Sequence, residues 1–175
     1  MGIDDAARLL DRYRALLVKV DEHASRIGAT YPDHVACRPG CAGCCRGGLT
    51  VSPIEAAAIA AGPEPSGPSK GARILTVLDE GRDDCAHLDG AGRCRIYGVR
   101  PLVCRTHGLP LVFAQGSDMV ADVCPLNFED GLNDLPAADF LNQDTVHTVL
   151  AALNQAWCAA MGADPRDRVL LEPTR

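Results

Sequence analysis

Four cysteines lie within one nine-residue segment of the chain. The segment reads Cys37-Arg38-Pro39-Gly40-Cys41-Ala42-Gly43-Cys44-Cys45. Its two glycines and its proline disfavour a helix, and thiolates are soft ligands that prefer zinc, copper(I) or iron–sulfur clusters. Because all four thiols lie on one flexible segment, they can converge on one metal centre without help from distant parts of the chain. The segment therefore predicts a protein that holds metal.

Four more cysteines are spread further along the sequence. They are Cys85, Cys94, Cys104 and Cys124. Eight thiols predict either two four-ligand centres or one cluster and a separate ion, and spacing alone leaves the pairing open. Adjacent side chains diverge on an extended backbone, so we expect Cys44 and Cys45 to point in different directions. One hypothesis is that these two cysteines serve different centres and tie the nine-residue segment to the later cysteines.

Three further residues have simpler interpretations. Cys158 stands alone beside Trp157 in a helical pattern, which is typical of a small buried apolar side chain. His87 and His107 follow Cys85 and Cys104 closely, and either imidazole could complete a mixed site. Each histidine is more typical of a hydrogen-bonding or surface residue.

The cysteine spacing within the nine-residue segment favours iron–sulfur over zinc. Structural zinc sites commonly pair two Cys-x2-Cys steps, and the segment has one such step, from Cys41 to Cys44. Cluster proteins instead gather closely spaced cysteines and a remote one. We therefore predict a [4Fe–4S] cluster, with zinc or mononuclear iron as the alternative. The spacing from Cys37 to Cys44 also equals the radical-SAM motif, but the chain is too short for the partial barrel of those enzymes.

The wider pattern resembles a known family, the YkgJ-like cysteine-cluster proteins, whose domain chelates zinc or iron. The resemblance rests on Cys37-x3-Cys41-x2-Cys44-Cys45 and on a string that runs from Cys85 to Arg105. That string is Cys85-x8-Cys94-Arg95-Ile96-Tyr97-x2-Arg100-Pro101-x2-Cys104-Arg105. Cys124 fits the final cysteine of the family. The similarity spans residues 37–124, and it implies metal binding by all eight cysteines.

Arginines accompany the cysteines. Four thiolates on one divalent ion leave a net charge of about −2, which nearby guanidinium groups can offset while they donate hydrogen bonds to sulfur. Arg100 and Arg105 match the family string, so the resemblance implies that both contact the cofactor from outside the ligand set.

Composition limits the classes of function. With 175 residues and a net charge of −6, the chain predicts one domain and disfavours a nucleic-acid binder with a basic surface. No apolar window is long enough to span a bilayer. The acidic start at Asp4 and Asp5 lacks the pattern of a secretory signal, and nine cysteines then predict a cytoplasmic protein with reduced thiols.

Periodicity predicts helices at both ends of the chain. Residues 4–27 form an amphipathic pattern, with Gly28 expected as the C-terminal cap and Tyr31-Pro32 as the stop. Residues 136–161 predict a closing helix, and the polar tail from Asp164 is expected to be loose.

Shorter elements are predicted between these helices. Ser52, Pro53 and Glu55 are typical of a capping box that starts a helix, which Gly62-Pro63 ends. Composition predicts a loop over residues 62–71, and a short helix is favoured over 72–78. Residues 85–97 indicate a hairpin, and a helical turn carrying Cys104 follows. Residues 109–123 are expected to be partly extended.

Together the patterns predict a mainly α fold with a small β-hairpin. One irregular domain, residues 1–175, would use the flanking helices 4–27 and 136–161 to enclose the metal-binding loops of the core, residues 37–124. Three functions fit. The first is a redox-related cluster protein with a redox partner protein or small-molecule substrate. The second is an iron-dependent oxidoreductase that modifies a small molecule or peptide. The third is a zinc-stabilised interaction module.

Overall fold

The described part of the chain combines helices with two small sheets. In this computed structural model it comprises residues 3–63 and 84–171. The helices are α1 (Ile3–Thr30), α2 (Pro53–Ala60), α3 (Leu102–Thr106) and α4 (Gln143–Met161). The strands are β1 (Thr50–Val51), β2 (Leu111–Gln115), β3 (Asp118–Asp122), β4 (Leu141–Asn142) and β5 (Val169–Leu170). The fold is therefore mixed α/β. The prediction of a mainly α fold was correct in part, because the helices are present but two small sheets accompany them. The helix predicted over 72–78 and most of the loop predicted over 62–71 lie outside the described residues.

Helix α1 is longer than its sequence pattern predicted. It passes through Gly28, which is not the cap, and ends at Thr30. The amide of Tyr31 still donates to the carbonyl of Ile27 at 2.9 Å. Pro32 stops the helix as predicted, because the residue before a proline is pushed out of the helical region.

Helix α2 begins with the predicted capping box. Ser52 is the N-cap, Pro53 takes the first helical position, and the Glu55 carboxylate accepts from the Ser52 amide at 2.9 Å and from its hydroxyl at 2.7 Å. The other oxygen of Glu55 accepts from the Leu102 amide at 3.1 Å and lies 3.4 Å from the Tyr13 hydroxyl. One carboxylate, 4% exposed, thus joins α2 to α1 and to the start of α3.

Helix α4 begins later than predicted. It starts at Gln143 rather than at residue 136, because Asn142 is its N-cap and accepts from the Thr145 amide at 2.8 Å. The preceding residues are instead drawn to the sheet, where Leu141 donates to the Pro110 carbonyl at 2.9 Å. Sheet pairing therefore set the start of α4, although the helical sequence pattern continues upstream of Gln143.

The two sheets fix segments that sequence reasoning left open. Strands β2 and β3 pair antiparallel inside the predicted extended region, and β2 also pairs parallel with β4. The tail was predicted to be loose, which was wrong. Residues 169–170 form β5, which pairs antiparallel with β1. Strand β1 is the first strand after the cysteine segment. Leu171 then buries its side chain in a small cluster with Val51 and Ile96.

The hairpin predicted over 85–97 is present in a reduced form. Leu88 and Cys94 make a single antiparallel bridge around the turn at Asp89, whose carboxylate accepts from the amides of Ala91 and Arg93 at 2.8 Å. The predicted helical turn after Pro101 is α3, and it carries Cys104.

The main core lies where the four helices meet. All four helices contribute buried side chains to it, among them Tyr13, Ile54, Leu102 and Val146. None of the helices in the described ranges has the length and apolarity needed to cross a membrane.

Glu55→Ala is expected to destabilise the fold by about 3 kcal/mol, because it removes the capping box and leaves the buried Leu102 amide without an acceptor. Urea unfolding of the purified protein measures the change. Glu22→Ala is the matched control, since Glu22 is exposed on α1. Equal stability of the two variants would contradict the role given to Glu55.

Candidate metal centre

The first cysteine segment is a series of tight turns. The Cys41 amide donates to the Arg38 carbonyl at 2.9 Å. Pro39 and Gly40 occupy the centre of this turn, and Gly40 has φ +93°, which is the sequence requirement of a type II turn. A second turn joins the Cys45 amide to the Ala42 carbonyl at 3.0 Å. These turns shorten the path between the cysteines without using a helix or a strand.

Cys124 is brought to this segment from the far end of β3. The Asn127 amide closes a turn on the Cys124 carbonyl at 2.8 Å, and the Asn127 side chain accepts from the Ala36 amide at 2.9 Å. Partial burial raises the pKa of the Cys37 thiol, which a hydrogen bond from Asn127 partly opposes. The neighbouring thiols raise this pKa further; they are Cys41, Cys124 and Cys44. We call these three and Cys37 the first set.

A second group of thiols surrounds Cys45. The Cys85 amide donates to the Cys45 carbonyl at 3.1 Å, beside an antiparallel bridge between Arg46 and Asp84. The hairpin bridge then holds Cys94 near Cys85, and Cys94 and Cys104 both pack on the small cluster of Val51, Ile96 and Leu171. We call this the second set: Cys45, Cys85, Cys94 and Cys104.

Three thiols of the second set, those of Cys45, Cys94 and Cys104, have raised pKa values and so resist ionisation. Burial, followed by the neighbouring Cys44 and Cys85 thiols, raises the pKa of Cys45 to about 12. Burial and the Cys85 and Cys94 thiols raise the pKa of Cys104 to about 11. Burial also raises the pKa of Cys94. A bound cation is therefore required to hold several of these sulfurs as thiolates at neutral pH.

The two sets meet at the adjacent pair. The Cys44 thiol raises the pKa of Cys45, so the two thiols are neighbours. The expectation that their side chains diverge assumed an extended backbone, and a turn is present instead, in which the Arg46 amide donates to the Cys44 carbonyl at 3.0 Å. Cys44 is also a neighbour of both Cys37 and Cys104.

In the described residues, no three His, Cys, Asp or Glu side chains already converge into a coordination shell. The two sets are neighbourhoods of thiols on turns, and metal binding would draw the sulfurs inwards, as expected where binding and local folding are coupled. Two features fit a thiolate-bound metal. The Asn127 side-chain amide donates to the Cys37 sulfur at 3.4 Å, and Gly108 leaves room for that sulfur, since a Cβ there would lie 2.8 Å from it.

The two predicted arginines have different surroundings. The Arg100 guanidinium stacks 3.6 Å from the Tyr97 ring centroid and donates to the Cys104 carbonyl at 3.3 Å. Its charge acts to lower the pKa values of Cys94 and Cys104, against the larger effect of burial. Arg100 is therefore positioned to balance negative charge on the second set.

Arg105 is buried and joins backbone segments. It donates to the carbonyls of Arg100 and Gly98, each at 2.8 Å, and pairs with Asp21 of α1. These contacts fix the turn beside α3. The expected contact of Arg105 with a cofactor stays a prediction.

The histidines are placed at the edge of the site. His87 is 3% exposed, and neither ring nitrogen has a hydrogen-bond partner within the described ranges. Burial, followed by the charge of Arg95, lowers the pKa of His87. The Arg95 amide donates to the His87 carbonyl at 2.8 Å, so the two residues are neighbours across the hairpin. His107 is exposed at the end of α3.

Cys158 lies away from both sets. It is 0% exposed on α4, and its thiol donates to the side-chain oxygen of Asn154 at 3.6 Å. Sequence reasoning missed Asn127 and Gly108, because neither residue type is a typical ligand of zinc or iron–sulfur clusters. The only signal for Asn127 was its position three residues after Cys124.

Comparison with known proteins gives one match. The family model described as "CxxCxxCC: Putative zinc- or iron-chelating domain" matches residues 36–125, just over half of the chain. No curated protein and no solved structure matches the chain. The matched residues begin and end beside Cys37 and Cys124 and so include all eight cysteines of the two sets. The chain belongs to the CxxCxxCC family of zinc- or iron-chelating domains.

Proposed function

We propose that the first set holds a [4Fe–4S] cluster and that the protein has a redox function. The observation that supports this most directly is the neighbourhood of Cys37, in which two more cysteines of the same segment meet the remote Cys124. Three closely spaced thiols with one distant thiol are a ligand pattern of cluster proteins. Such a cluster, when bound, takes up and releases one electron at a time.

We propose that the second set binds a separate metal ion, zinc or mononuclear iron. Its four cysteines come from the first segment, from both sides of the hairpin and from α3. A site with four thiolates is coordinatively closed, which suits a structural ion better than a catalytic one. The contact between Cys44 and Cys45 would place the two centres next to each other. Electrons would then be exchanged with a redox partner protein or a small-molecule substrate.

Metal and sulfide analysis of protein purified without oxygen tests the cluster. We expect brown protein that contains iron and acid-labile sulfide, with the Mössbauer spectrum of a [4Fe–4S] cluster. Colourless protein with stoichiometric zinc would contradict the cluster and favour the zinc-stabilised interaction module. Iron without sulfide would favour the iron-dependent metalloenzyme.

Cys104→Ser is expected to lower the metal content and to destabilise the fold, because binding free energy at such sites contributes to folding. Cys158→Ser is the matched control and should retain full metal content, since this thiol is buried on α4. Metal analysis of both purified variants measures the difference. Metal loss from the Cys158 variant would show that the ninth cysteine was misassigned.

Metal affinity is expected to rise steeply with pH. The raised pKa values of Cys45 and Cys104, about 12 and about 11, keep these thiols protonated near neutral pH in the metal-free chain. Binding must therefore release protons, and each proton released raises the apparent affinity about tenfold per pH unit. Calorimetry of metal reconstitution in two buffers of different ionisation enthalpy counts the protons. An affinity that stays constant between pH 6.5 and pH 8.5 would contradict this linkage.

A further inference from the structure

Asn127 joins three segments at the first set. Its side chain is 1% exposed. Its oxygen accepts from the Ala36 amide at 2.9 Å, and its nitrogen donates to the Gly108 carbonyl at 2.6 Å. Because Ala36 offers only a donor there and Gly108 only an acceptor, this pair of contacts fixes the orientation of the amide group.

The same amide group reaches the sulfur of Cys37. The second hydrogen of the Asn127 nitrogen is available for the Cys37 sulfur at 3.4 Å, whereas the oxygen lies 3.9 Å from that sulfur and is already used by Ala36. The backbone of Gly108 also lies close to this sulfur and to the Asn127 amide. Its φ is +96°, and an added Cβ would lie 2.8 Å from the sulfur and 3.2 Å from the Asn127 nitrogen.

We propose that Asn127 is a positioning residue for the first metal centre. Its side chain holds the Cys37 sulfur through an N–H···S hydrogen bond, at a place where only glycine at position 108 leaves enough room for the sulfur. This inference rests on the proposed metal binding by the first set. It adds a residue that ligates nothing and that orients a ligand and adjusts its charge. Asn127 also tethers the turn of Cys124 to the segment of Cys37, so one side chain aligns the first and the last cysteine of the set.

The hydrogen bond gains strength when the sulfur is a thiolate, because hydrogen bonds to ionised acceptors are stronger than those to neutral ones. Donation to a ligating sulfur withdraws negative charge from the metal centre. Such groups around a ligand commonly change metal affinity by about 10–100-fold when removed. In a cluster, the bond stabilises the more negative reduced state, so its loss lowers the reduction potential.

The chain contains a matched control in Asn154. This asparagine is also buried, its oxygen accepts from the Ile54 amide at 3.2 Å, and its nitrogen donates to the Pro165 carbonyl at 2.9 Å. Its neighbouring thiol is Cys158, which belongs to neither set. The two asparagines therefore make similar backbone contacts, and only Asn127 contacts a proposed metal ligand.

The first test compares Asn127→Leu with Asn154→Leu in the metal-loaded protein. The readout is the rate of metal transfer to a coloured chelator, which applies whether the metal is iron or zinc. We expect the Asn127 variant to lose metal about 10–100-fold faster in the phase that Cys37→Ser also accelerates, with the other phase unchanged. The Asn154 variant should release metal at the wild-type rate. Equal acceleration in both variants would overturn the proposal, because it would indicate general loosening of the fold.

The second test uses glycines with the same backbone strain. Gly108→Ala and Gly131→Ala both place alanine at a positive φ, +96° and +101°, but only Gly108 faces the Cys37 sulfur, since a Cβ on Gly131 meets nothing within 4 Å. We expect faster metal release from the first variant only. Identical metal-release rates from the two variants would overturn the role given to Gly108.

The double variant Cys37→Ser with Asn127→Leu separates this inference from the proposed function. If Asn127 acts through Cys37, the double variant releases metal no faster than Cys37→Ser alone. Additive acceleration would overturn the inference while leaving metal binding intact. Where a cluster is present, the Asn127→Leu variant should also show a lower midpoint potential, and an unchanged potential and release rate would refute the hydrogen bond. If no metal is bound by the wild-type protein, the proposed function itself fails.

Discussion

The buried carboxylate of Glu55 is the interaction on which the architecture depends most. It caps α2, accepts from the amide that opens α3, and lies beside the Tyr13 hydroxyl of α1. Burial, followed by the negative charge of Glu55, raises the pKa of Tyr13, so this hydroxyl remains a donor. Because α2 follows the cysteine segment and α3 carries Cys104, the same carboxylate sets the distance between parts of the second set.

Around that scaffold, the cysteines lie on turns with few regular hydrogen bonds. The second set is anchored by the bridge between Leu88 and Cys94 and by a small apolar cluster, while the first is anchored by Asn127. Partial burial raises the pKa values of Cys45, Cys94 and Cys104, and neighbouring thiolates would repel each other. A metal cation would offset both effects together. We therefore expect metal binding to complete the geometry of the loops, whereas the helices pack through the core.

The elements that sequence predicted well are those with local causes. The capping box at Ser52, the stop at Pro32 and the turn that carries Cys104 each follow from chemistry within a few residues. The errors had distant causes. The start of α4 was decided by pairing of Leu141 with β2, and the tail was ordered by pairing of β5 with β1. No local pattern carries such information, because a two-residue strand exists only through its partner.

The candidate site likewise divides into features with local causes and features with distant causes. The sequence by itself determined the thiol-rich composition of the site and the family, because thiols at close spacing suit soft-metal chelation. Only the tertiary structure decided which thiols are neighbours, including Cys44 and Cys45, and that Asn127 and Gly108 both lie against the sulfur of Cys37. The physical reason is that the chemical type of a ligand is a property of a single side chain and can be read from the sequence. Proximity and burial arise only when turns, bridges and caps from distant parts of the chain pack together.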